Sequence, residues 1–241
     1  ESALAEFAEV GIQRLVVVPL YPQYAASTTG TSLAEVYRRA GAGWDVPAIL
    51  VVPPFYGDPG FLDAFAELGR PVLDDMSPDH VLFSFHGLPE RHVRKSDDSG
   101  SHCLAREDCC ATLGTVNRNC YRAQCYATAD GIASALGLEE GRWGVAFQSR
   151  LGRTPWIRPY TDETVRALAE RGVRRLAVFC PAFVADCIET IEEIGMQVRD
   201  DFLAHGGEAL RLVPSLNATA EWVGLAARLV RRAAWPEDSG D

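Results

Sequence analysis

Short apolar runs alternate with amphipathic segments along most of the chain. The apolar runs predict six buried strands, at about residues 15–20, 45–53, 81–86, 143–147, 175–180 and 210–214. Helical spacing predicts helices that end near residue 11 or cover residues 31–40, 61–68, 122–136, 161–171, 186–205 and 218–234. Strands that alternate with helices in this way are typical of an α/β fold with parallel sheets. The six strands can form one sheet or parts of two.

Residues 90–121 interrupt this alternation. The stretch is polar at first and then rich in cysteine, and it shows no periodicity. A long irregular segment inside a compact domain is commonly a functional loop. Five of the seven cysteines lie between Cys103 and Cys125. Their odd total and their clustering favour a metal or iron–sulfur site in a reducing cytoplasm over a disulfide framework.

The third predicted strand delivers a histidine to its carboxyl end. The apolar run 81–85 stops at His86, and Gly87 and Pro89 then favour a turn. Ligands of open α/β sheets bind outside the carboxyl ends of the strands, so His86 is placed for chemistry. A histidine that only fills a polar niche at a strand end is the alternative.

An acidic segment follows the fifth predicted strand and should reach the same edge of the sheet. Asp186, Glu189 and Glu193 lie at the start of the predicted helix, where Glu189 and Glu193 share one face. Local pattern favours a structural reading in which Asp186 caps the helix and Glu189 completes a capping box. The two readings are compatible, because Asp186 can cap the helix while Glu189 faces the cleft.

Two further loops follow predicted strands. Residues 148–156 are basic and aromatic, and they suit either a surface loop or a wall for a flat anionic ligand. Residues 21–30 carry hydroxyl groups and Gly30 before a helix, which suits anion binding or simple helix capping.

Charge and hydropathy exclude some partners. The formal net charge of −10 argues against binding of nucleic acid through phosphate contacts. No apolar run approaches the length that spans a bilayer. The chain begins within a helical pattern and without an initiator Met, so we expect a fragment that lacks the front of a longer protein and is inactive or poorly stable alone.

Taken together, the motifs resemble those of ferrochelatase, the enzyme that inserts ferrous iron into a porphyrin. The matching stretches are Leu20-Tyr-Pro-Gln-Tyr24 with Ser27-Thr-Thr-Gly30, Phe83-Ser-Phe-His86-Gly-Leu-Pro89, Gln124-Cys-Tyr-Ala-Thr-Ala129, Phe147-Gln-Ser-Arg150 with Pro155-Trp156, Pro159-Tyr-Thr-Asp-Glu-Thr164, Cys180-Pro-Ala-Phe183 with Asp186-Cys-Ile-Glu189-Thr-Ile-Glu-Glu193, and Leu216-Asn-Ala218. They cover nearly the whole chain in order, and as a series they are highly specific.

The resemblance implies a role for each matched residue. His86 matches the active-site histidine and Glu189 the carboxylate that faces it, and both are implied contacts of the substrate iron. Asp186 and Glu193 match an acidic path for protons or metal. Implied porphyrin contacts are Trp156, Leu88, Pro89, Tyr21 and Gln148. From the chemistry, we assign His86 as proton acceptor and Glu189 as its partner, because two pyrrole protons must leave when the metal enters.

The resemblance also implies a chelatase-like fold of two Rossmann-like halves, the first of them truncated. We expect the remainder of the first half at residues 1–75 and the second half at 76–215. A cysteine-rich insert should occupy about residues 95–122, and a C-terminal helix and tail, residues 216–241, should pack on the first half.

The cysteine spacing is the departure from the simplest family members. Four thiolates suffice for a 2Fe-2S cluster or for structural zinc. Some ferrochelatases carry a 2Fe-2S cluster, and several bacterial ones hold it in an insert at this place, which favours the cluster. The ligands are four of the five residues Cys103, Cys109, Cys110, Cys120 and Cys125. Cys125 is the weaker choice, because it lies in a stretch that matches cluster-free relatives.

The expected function is therefore that of a cytoplasmic ferrochelatase, a metal chelatase of the lyase class with a porphyrin and ferrous iron as substrates. The hydrophobic product suits peripheral membrane contact or transfer to a partner, and the sequence leaves the oligomeric state open. One alternative is another tetrapyrrole chelatase, although those typically present two active-site histidines and here Cys187 lies beside Glu189. Another is a non-catalytic iron–sulfur or haem-binding protein on a chelatase scaffold.

Overall fold

The strands that pair within the described part of the chain are parallel to one another. A computed structural model describes residues 2–106 and 108–235. In this part of the chain six strands form two sheets, and their bounds are β1 (Arg14–Val17), β2 (Ala48–Val51), β3 (His80–His86), β4 (Trp143–Gln148), β5 (Arg175–Phe179) and β6 (Ala209–Leu212). Strands β1 and β2 make a two-stranded sheet, and the other four follow the order β4-β3-β5-β6. Parallel strands joined by helical crossovers confirm the α/β prediction.

Helices follow the strands as the hydrophobic spacing predicts, but one of them, Glu90–Lys95, lies in the segment 90–121 for which no helix was predicted. Their bounds are α1 (Ser2–Val10), α2 (Thr31–Ala40), α3 (Pro59–Met76), α4 (Glu90–Lys95), α5 (Tyr121–Leu136), α6 (Thr161–Glu170), α7 (Arg199–Ala204) and α8 (Ala220–Ala234). Two π-helical segments, Ala26–Gly30 and Glu189–Val198, run directly into α2 and α7. No helix of the described residues has both the length and the apolar character needed to cross a bilayer.

Strand β3 lies between β4 and β5 and is buried on both faces. Phe83 and Phe85 are fully buried in a core that reaches both sheets, whereas Leu82 is fully buried in a second core on the opposite face. This explains its nearly continuous apolar sequence. The pairing with β4 continues to His86, but the pairing with β5 ends at Phe83. His86 therefore lies at the edge where β3 extends beyond β5.

Helix α3 is longer than predicted and passes through Pro71. The sequence predicted an end at residue 68, because proline removes a backbone donor and a glycine lies just before it. Pro71 faces solvent, whereas Met76 is buried, so continued burial of one face outweighs the lost hydrogen bond. Gly69 is required by packing: a Cβ there would lie 2.3 Å from the Phe179 ring.

The predicted helix 186–205 begins later and differs in geometry. Its first ten residues, Glu189–Val198, are π-helical, and α7 continues it to Ala204. π-Helical geometry is rare and often marks functional sites. The sequence did not predict it, because apolar spacing identified a helical segment and not the backbone hydrogen-bond pattern that the segment adopts.

The C-terminal helix α8 packs against α3, β1 and β2. Trp222 of α8 lies against Phe55, with ring centroids 5.7 Å apart, and the Thr219 hydroxyl accepts a hydrogen bond from the Trp222 amide at the start of the helix. Residues 236–241, the predicted tail, lie outside the described residues. The division into two Rossmann-like halves at residue 75 stays a prediction.

Candidate active site

His86 is held at the carboxyl end of β3 by two hydrogen bonds to backbone carbonyl oxygens. Its Nδ1 lies 2.7 Å from the Gly87 carbonyl oxygen, and its own carbonyl oxygen accepts a hydrogen bond of 2.8 Å from the Tyr121 hydroxyl. A carbonyl oxygen only accepts, so Nδ1 carries a proton, and in the neutral form of the ring Nε2 is the nitrogen with the lone pair. The ring lies between Trp156 and Phe183, at centroid distances of 6.5 and 6.3 Å.

The turn after His86 is fixed by contacts that leave no space for a larger residue at position 87. The Gly87 amide donates to the Gln148 carbonyl oxygen at 2.7 Å, and a Cβ on Gly87 would lie 2.8 Å from that same oxygen. Leu88 and Pro89 are buried, and the Leu88 carbonyl accepts from the Ile157 amide. Pro89 also forms an isolated antiparallel β-bridge with Trp156, which brings the loop of residues 148–156 beside the histidine.

Glu189 begins the π-helical segment and lies within electrostatic range of His86. A hydrogen bond from the Cys187 thiol, one from its own backbone amide and attraction to His86 together hold the pKa of Glu189 below its ordinary value. The carboxylate is therefore ionised at neutral pH. Of the residues predicted for catalysis, the structure brings together His86 and Glu189.

Gln148 connects β3, β4 and the π-helical segment. Its side chain is buried, with its Oε1 accepting from the Ser84 hydroxyl at 2.8 Å. Its Nε2 donates to the Glu189 carbonyl oxygen at 2.6 Å and to the Glu193 carboxylate at 3.2 Å. These contacts place Gln148 in the framework that fixes the acidic segment, and its predicted contact with porphyrin stays a prediction.

Glu193 is bound on its other side by the residue after Gln148. The Ser149 amide donates to Glu193 Oε1 at 2.8 Å, and the Ser149 hydroxyl donates to Oε2. Ser149 has a φ of 63°, a left-handed conformation that a serine rarely adopts. Strain of this kind persists where surrounding contacts impose it, and it is often found at functional sites.

Asp186 is not the helix cap that local pattern favoured. The residue before the π-helical segment is Ile188, whereas the Asp186 carboxylate accepts from the Thr190 hydroxyl, the Ser215 amide and the Asn217 side chain. Burial acts to raise the pKa of Asp186, but these hydrogen bonds outweigh it and lower the pKa. The capping prediction was wrong because two of the three partners, Ser215 and Asn217, lie 29 and 31 positions later in the chain.

The loop after β1 reaches the same edge of the second sheet. The Gln23 side chain is buried and donates to the Thr128 hydroxyl at 3.0 Å and to the Pro181 carbonyl at 3.3 Å. Tyr21 is exposed on this loop, with 40% of its surface accessible. Trp156 is half-buried, and its indole N–H donates to the Leu151 carbonyl at 2.9 Å.

Four cysteine side chains of the insert gather in one buried cluster. The Sγ atoms of Cys109 and Cys110 are 3.7 Å apart, and the Cys120 thiol interacts with Cys103 and Cys110. Cys125 is fully buried on α5 and interacts with the Tyr121 hydroxyl. All seven cysteines are free thiols. Within the described part of the chain, no three His, Cys, Asp or Glu side chains have the arrangement of a metal site.

Asp97 organises the start of this insert and is not among the residues predicted from the sequence. Its carboxylate accepts hydrogen bonds of 2.8 Å from the amides of His102 and Cys103, and further bonds from Ser99. These bonds lower the pKa of Asp97, with the Ser99 side chain as the largest cause. The sequence Asp97-Asp-Ser-Gly100 is a turn signal, and that signal could have identified the residue.

Comparison with known proteins decides the family. A ferrochelatase family model matches residues 1–234. The chain is 52% identical over 232 residues to the ferrochelatase of Azotobacter vinelandii, covering 96% of this chain and 68% of that protein. It is 50% identical over 236 residues to the ferrochelatase of Pseudomonas aeruginosa, covering 98% and 69%. The chain belongs to the ferrochelatase family.

Solved structures support a chelatase-like fold for this ferrochelatase chain. SirB from Bacillus subtilis with Fe3+ aligns with a TM-score of 0.63 over 100% of this chain and 79% of that one, at 16% identity. CbiX, the terminal enzyme for biosynthesis of siroheme in denitrifying bacteria, aligns with a TM-score of 0.53 over 93% and 78%, also at 16% identity. At this identity the likeness concerns the fold alone, and the family match favours ferrochelatase over the alternative of another tetrapyrrole chelatase.

Two positioning contacts of the ferrochelatase site could not be assigned from the sequence. Tyr121 and Asn217 hold His86 and Asp186 from distant parts of the chain. Asn217 lies in a stretch that resembles the family, but nothing local indicated its partner. Its φ of 49° suits asparagine better than most residues.

Proposed function

We propose that His86 and Glu189 are the proton-handling pair of a ferrochelatase site, where ferrous iron enters a porphyrin to form haem. Two observations carry the proposal: the Nδ1–Gly87 hydrogen bond, which leaves Nε2 as the acceptor nitrogen of the neutral ring, and the electrostatic interaction of His86 with the Glu189 carboxylate. Iron insertion releases two pyrrole protons and transfers no electrons. A neutral imidazole beside a carboxylate has the chemistry to accept and pass on such protons.

The acidic segment extends from this pair. Asp186 precedes Glu189 in the sequence and Glu193 follows it, and both carboxylates accept hydrogen bonds. We propose that they carry protons or ferrous iron to or from Glu189. Their hydrogen bonds to Asn217, Ser215 and Ser149 give them a second function, which is to fix the π-helical segment. Carboxylates suit this path because they bind ferrous iron without the permanence of a thiolate site.

The porphyrin would lie between the loops that surround His86. Trp156 and Phe183 flank the imidazole, and Tyr21 is exposed on the loop that reaches the same sheet edge. Pro89 pairs with Trp156 from the turn, and the buried Leu88 and Pro89 would support the loops that surround the macrocycle. Binding energy from such contacts can hold the macrocycle bent, which exposes its nitrogen atoms to the metal and to His86.

The test is metal insertion by the complete enzyme, followed by the absorbance change of the porphyrin with ferrous or zinc ion. His86→Ala should lower kcat by roughly 10²- to 10⁴-fold, as expected for loss of a general base. Glu189→Gln should also lower kcat. His92→Ala on α4 and Glu192→Gln on the π-helical segment are matched controls and should retain activity. Normal insertion by His86→Ala would overturn the assignment.

We further propose that Cys103, Cys109, Cys110 and Cys120 hold a 2Fe-2S cluster. Support comes from the donor chemistry: four buried thiols gather in one cluster, and four thiolates are the usual ligand set of such a cluster. Cys125 interacts instead with Tyr121, so it is the spare residue. Insertion of iron into a porphyrin requires no electron, and the cluster would serve to stabilise the insert. The free thiols also suit a reducing compartment such as the cytoplasm.

Iron analysis and the visible spectrum of the purified enzyme test this second proposal. Serine in place of any of the four cysteines should remove the iron and the colour, whereas Cys125→Ser should keep both. A colourless protein that contains zinc would identify a structural zinc site and overturn the cluster.

A further inference from the structure

The carbonyl group of His86 is held by the side chain of Tyr121, which lies at the end of the cysteine-rich insert. The ladder between β3 and β5 stops at Phe83, three residues before the histidine. The backbone at His86 therefore has strand pairing on the β4 side only. The Tyr121 hydroxyl donates to the His86 carbonyl oxygen at 2.8 Å.

The Tyr121 side chain is fixed in its position by burial. Only 8% of the residue is exposed, and it belongs to the core that contains Phe85. Its hydroxyl also interacts with the buried Cys125 thiol, one helical turn further along α5. A buried hydroxyl needs a hydrogen-bond partner, so loss of the contact with His86 would leave a polar group poorly satisfied.

Tyr121 is the residue directly after Cys120, whose thiol interacts with Cys103 and Cys110. The Cys120 amide donates to the Asn117 carbonyl at 2.8 Å, and the Asn117 side chain donates to the carbonyl of Cys109 at 3.0 Å. Thus a single residue, Tyr121, connects the cysteine cluster to the catalytic histidine through its hydrogen bond to the His86 carbonyl.

We propose that Tyr121 is a positioning residue for His86 and that through it the cysteine-rich insert sets the orientation of the imidazole. This inference rests on the proposed catalytic function of His86. The hydroxyl holds the His86 carbonyl while the Gly87 carbonyl holds Nδ1, so the two peptide groups on either side of the Gly87 Cα are fixed. A change at Cys120 would move the hydroxyl and with it the direction of Nε2.

The test compares Tyr121→Phe with Tyr126→Phe in the complete enzyme. Both changes remove one hydroxyl from α5, and Tyr126 contacts Arg122 and not His86. We expect Tyr121→Phe to lower kcat about tenfold, the equivalent of one neutral hydrogen bond, with KM for porphyrin unchanged. Tyr126→Phe should change kcat less than about twofold. Wild-type kcat in Tyr121→Phe, or a rise in KM alone, would overturn the inference.

A second comparison separates this inference from the proposed function. In the His86→Ala background, Tyr121→Phe should have no further effect, since the residue it positions is absent. An equal further loss in that background would show a purely structural function and overturn the inference. Full activity of His86→Ala itself would instead overturn the proposed function. Hydrogen exchange at the Gly87 amide, faster in Tyr121→Phe than in Tyr126→Phe, gives a readout that needs no activity.

Discussion

The Nδ1 atom of His86 donates a hydrogen bond to the carbonyl oxygen of Gly87, the next residue in the chain, at a distance of 2.7 Å. One contact thereby determines which ring nitrogen keeps its proton and which one carries the lone pair of the neutral ring. The orientation of the Gly87 peptide is in turn fixed by its amide, which donates to Gln148. Small movements of this peptide should therefore change the direction of Nε2.

We predict that Gly87→Ala lowers kcat by roughly tenfold or more, because a misdirected catalytic group loses a large part of its effect. The added Cβ would lie 2.8 Å from the Gln148 carbonyl oxygen and 3.3 Å from the Trp156 ring, so the turn must shift. Gly57→Ala is the matched control, since a Cβ at Gly57 meets nothing within 4 Å. Steady-state metal insertion by both variants is the measurement, and equal kcat values would contradict the prediction.

The contact between Asn217 and Asp186 yields a second prediction. Asn217→Ala removes the hydrogen bonds to the Asp186 carboxylate and amide and places alanine at a φ of 49°. We expect the free energy of unfolding to fall by about 2–3 kcal/mol. Chemical denaturation of the complete enzyme measures this change.

Asn217→Gly separates the two causes, because glycine tolerates the left-handed backbone and lacks the side chain. It should lose the hydrogen bonds but not suffer the strain, and so be less destabilised than Asn217→Ala. Both variants should also raise the pKa of Asp186, since a principal hydrogen bond that lowers it is gone. If Asn217→Gly is as stable as the wild type, the side-chain contacts contribute nothing.

Asp97 should control how well the cysteine insert retains metal. Asp97→Ala removes the acceptor for the amides of His102 and Cys103, so the first proposed ligand loses its fixed position. We expect a lower iron content per chain and weaker visible absorbance in the purified enzyme. The exposed neighbour provides the control: Asp98→Ala should leave the iron content unchanged. Equal iron in both variants would refute this function of Asp97.

His80, at the other end of β3, should make stability depend on pH. Burial, followed by repulsion from Arg171 and Arg142, lowers its pKa to about 4 from an ordinary value of about 6.5. As pH falls below 6.5, His80 binds a proton in the unfolded chain but remains neutral in the folded chain. The stability that is present above pH 6.5 is therefore lost progressively as pH falls toward 4.

The expected loss is about 1 kcal/mol between pH 7.5 and pH 5, after allowance for solvent screening of a partly accessible ring. His80→Gln has no group that titrates in this range and should show a correspondingly smaller loss. Chemical denaturation at the two pH values, with wild type and variant in the same buffers, is the measurement. Identical pH dependence of the two proteins would show that His80 does not contribute.

The sequence alone determined the order of the elements and the position of the catalytic candidates. Apolar runs predicted the buried strand β3, and the turn residues after it placed His86 at a strand end, because strand burial and turn formation depend on neighbouring residues. The same local signals located the cysteine-rich insert between β3 and α5. Matched motifs along the whole chain then indicated the ferrochelatase family, which the comparisons confirmed.

Only the tertiary structure decided how the site is held together. Tyr121, Ser149, Ser215 and Asn217 hold His86, Glu193 and Asp186 from 29–44 positions away in the chain, and no local pattern encodes such contacts. For the same reason the Asp186 cap was wrong and the π-helical geometry of Glu189–Val198 was not foreseen. Local periodicity reports which face of a segment is buried, whereas the choice of hydrogen-bond partner depends on which other segments reach that face.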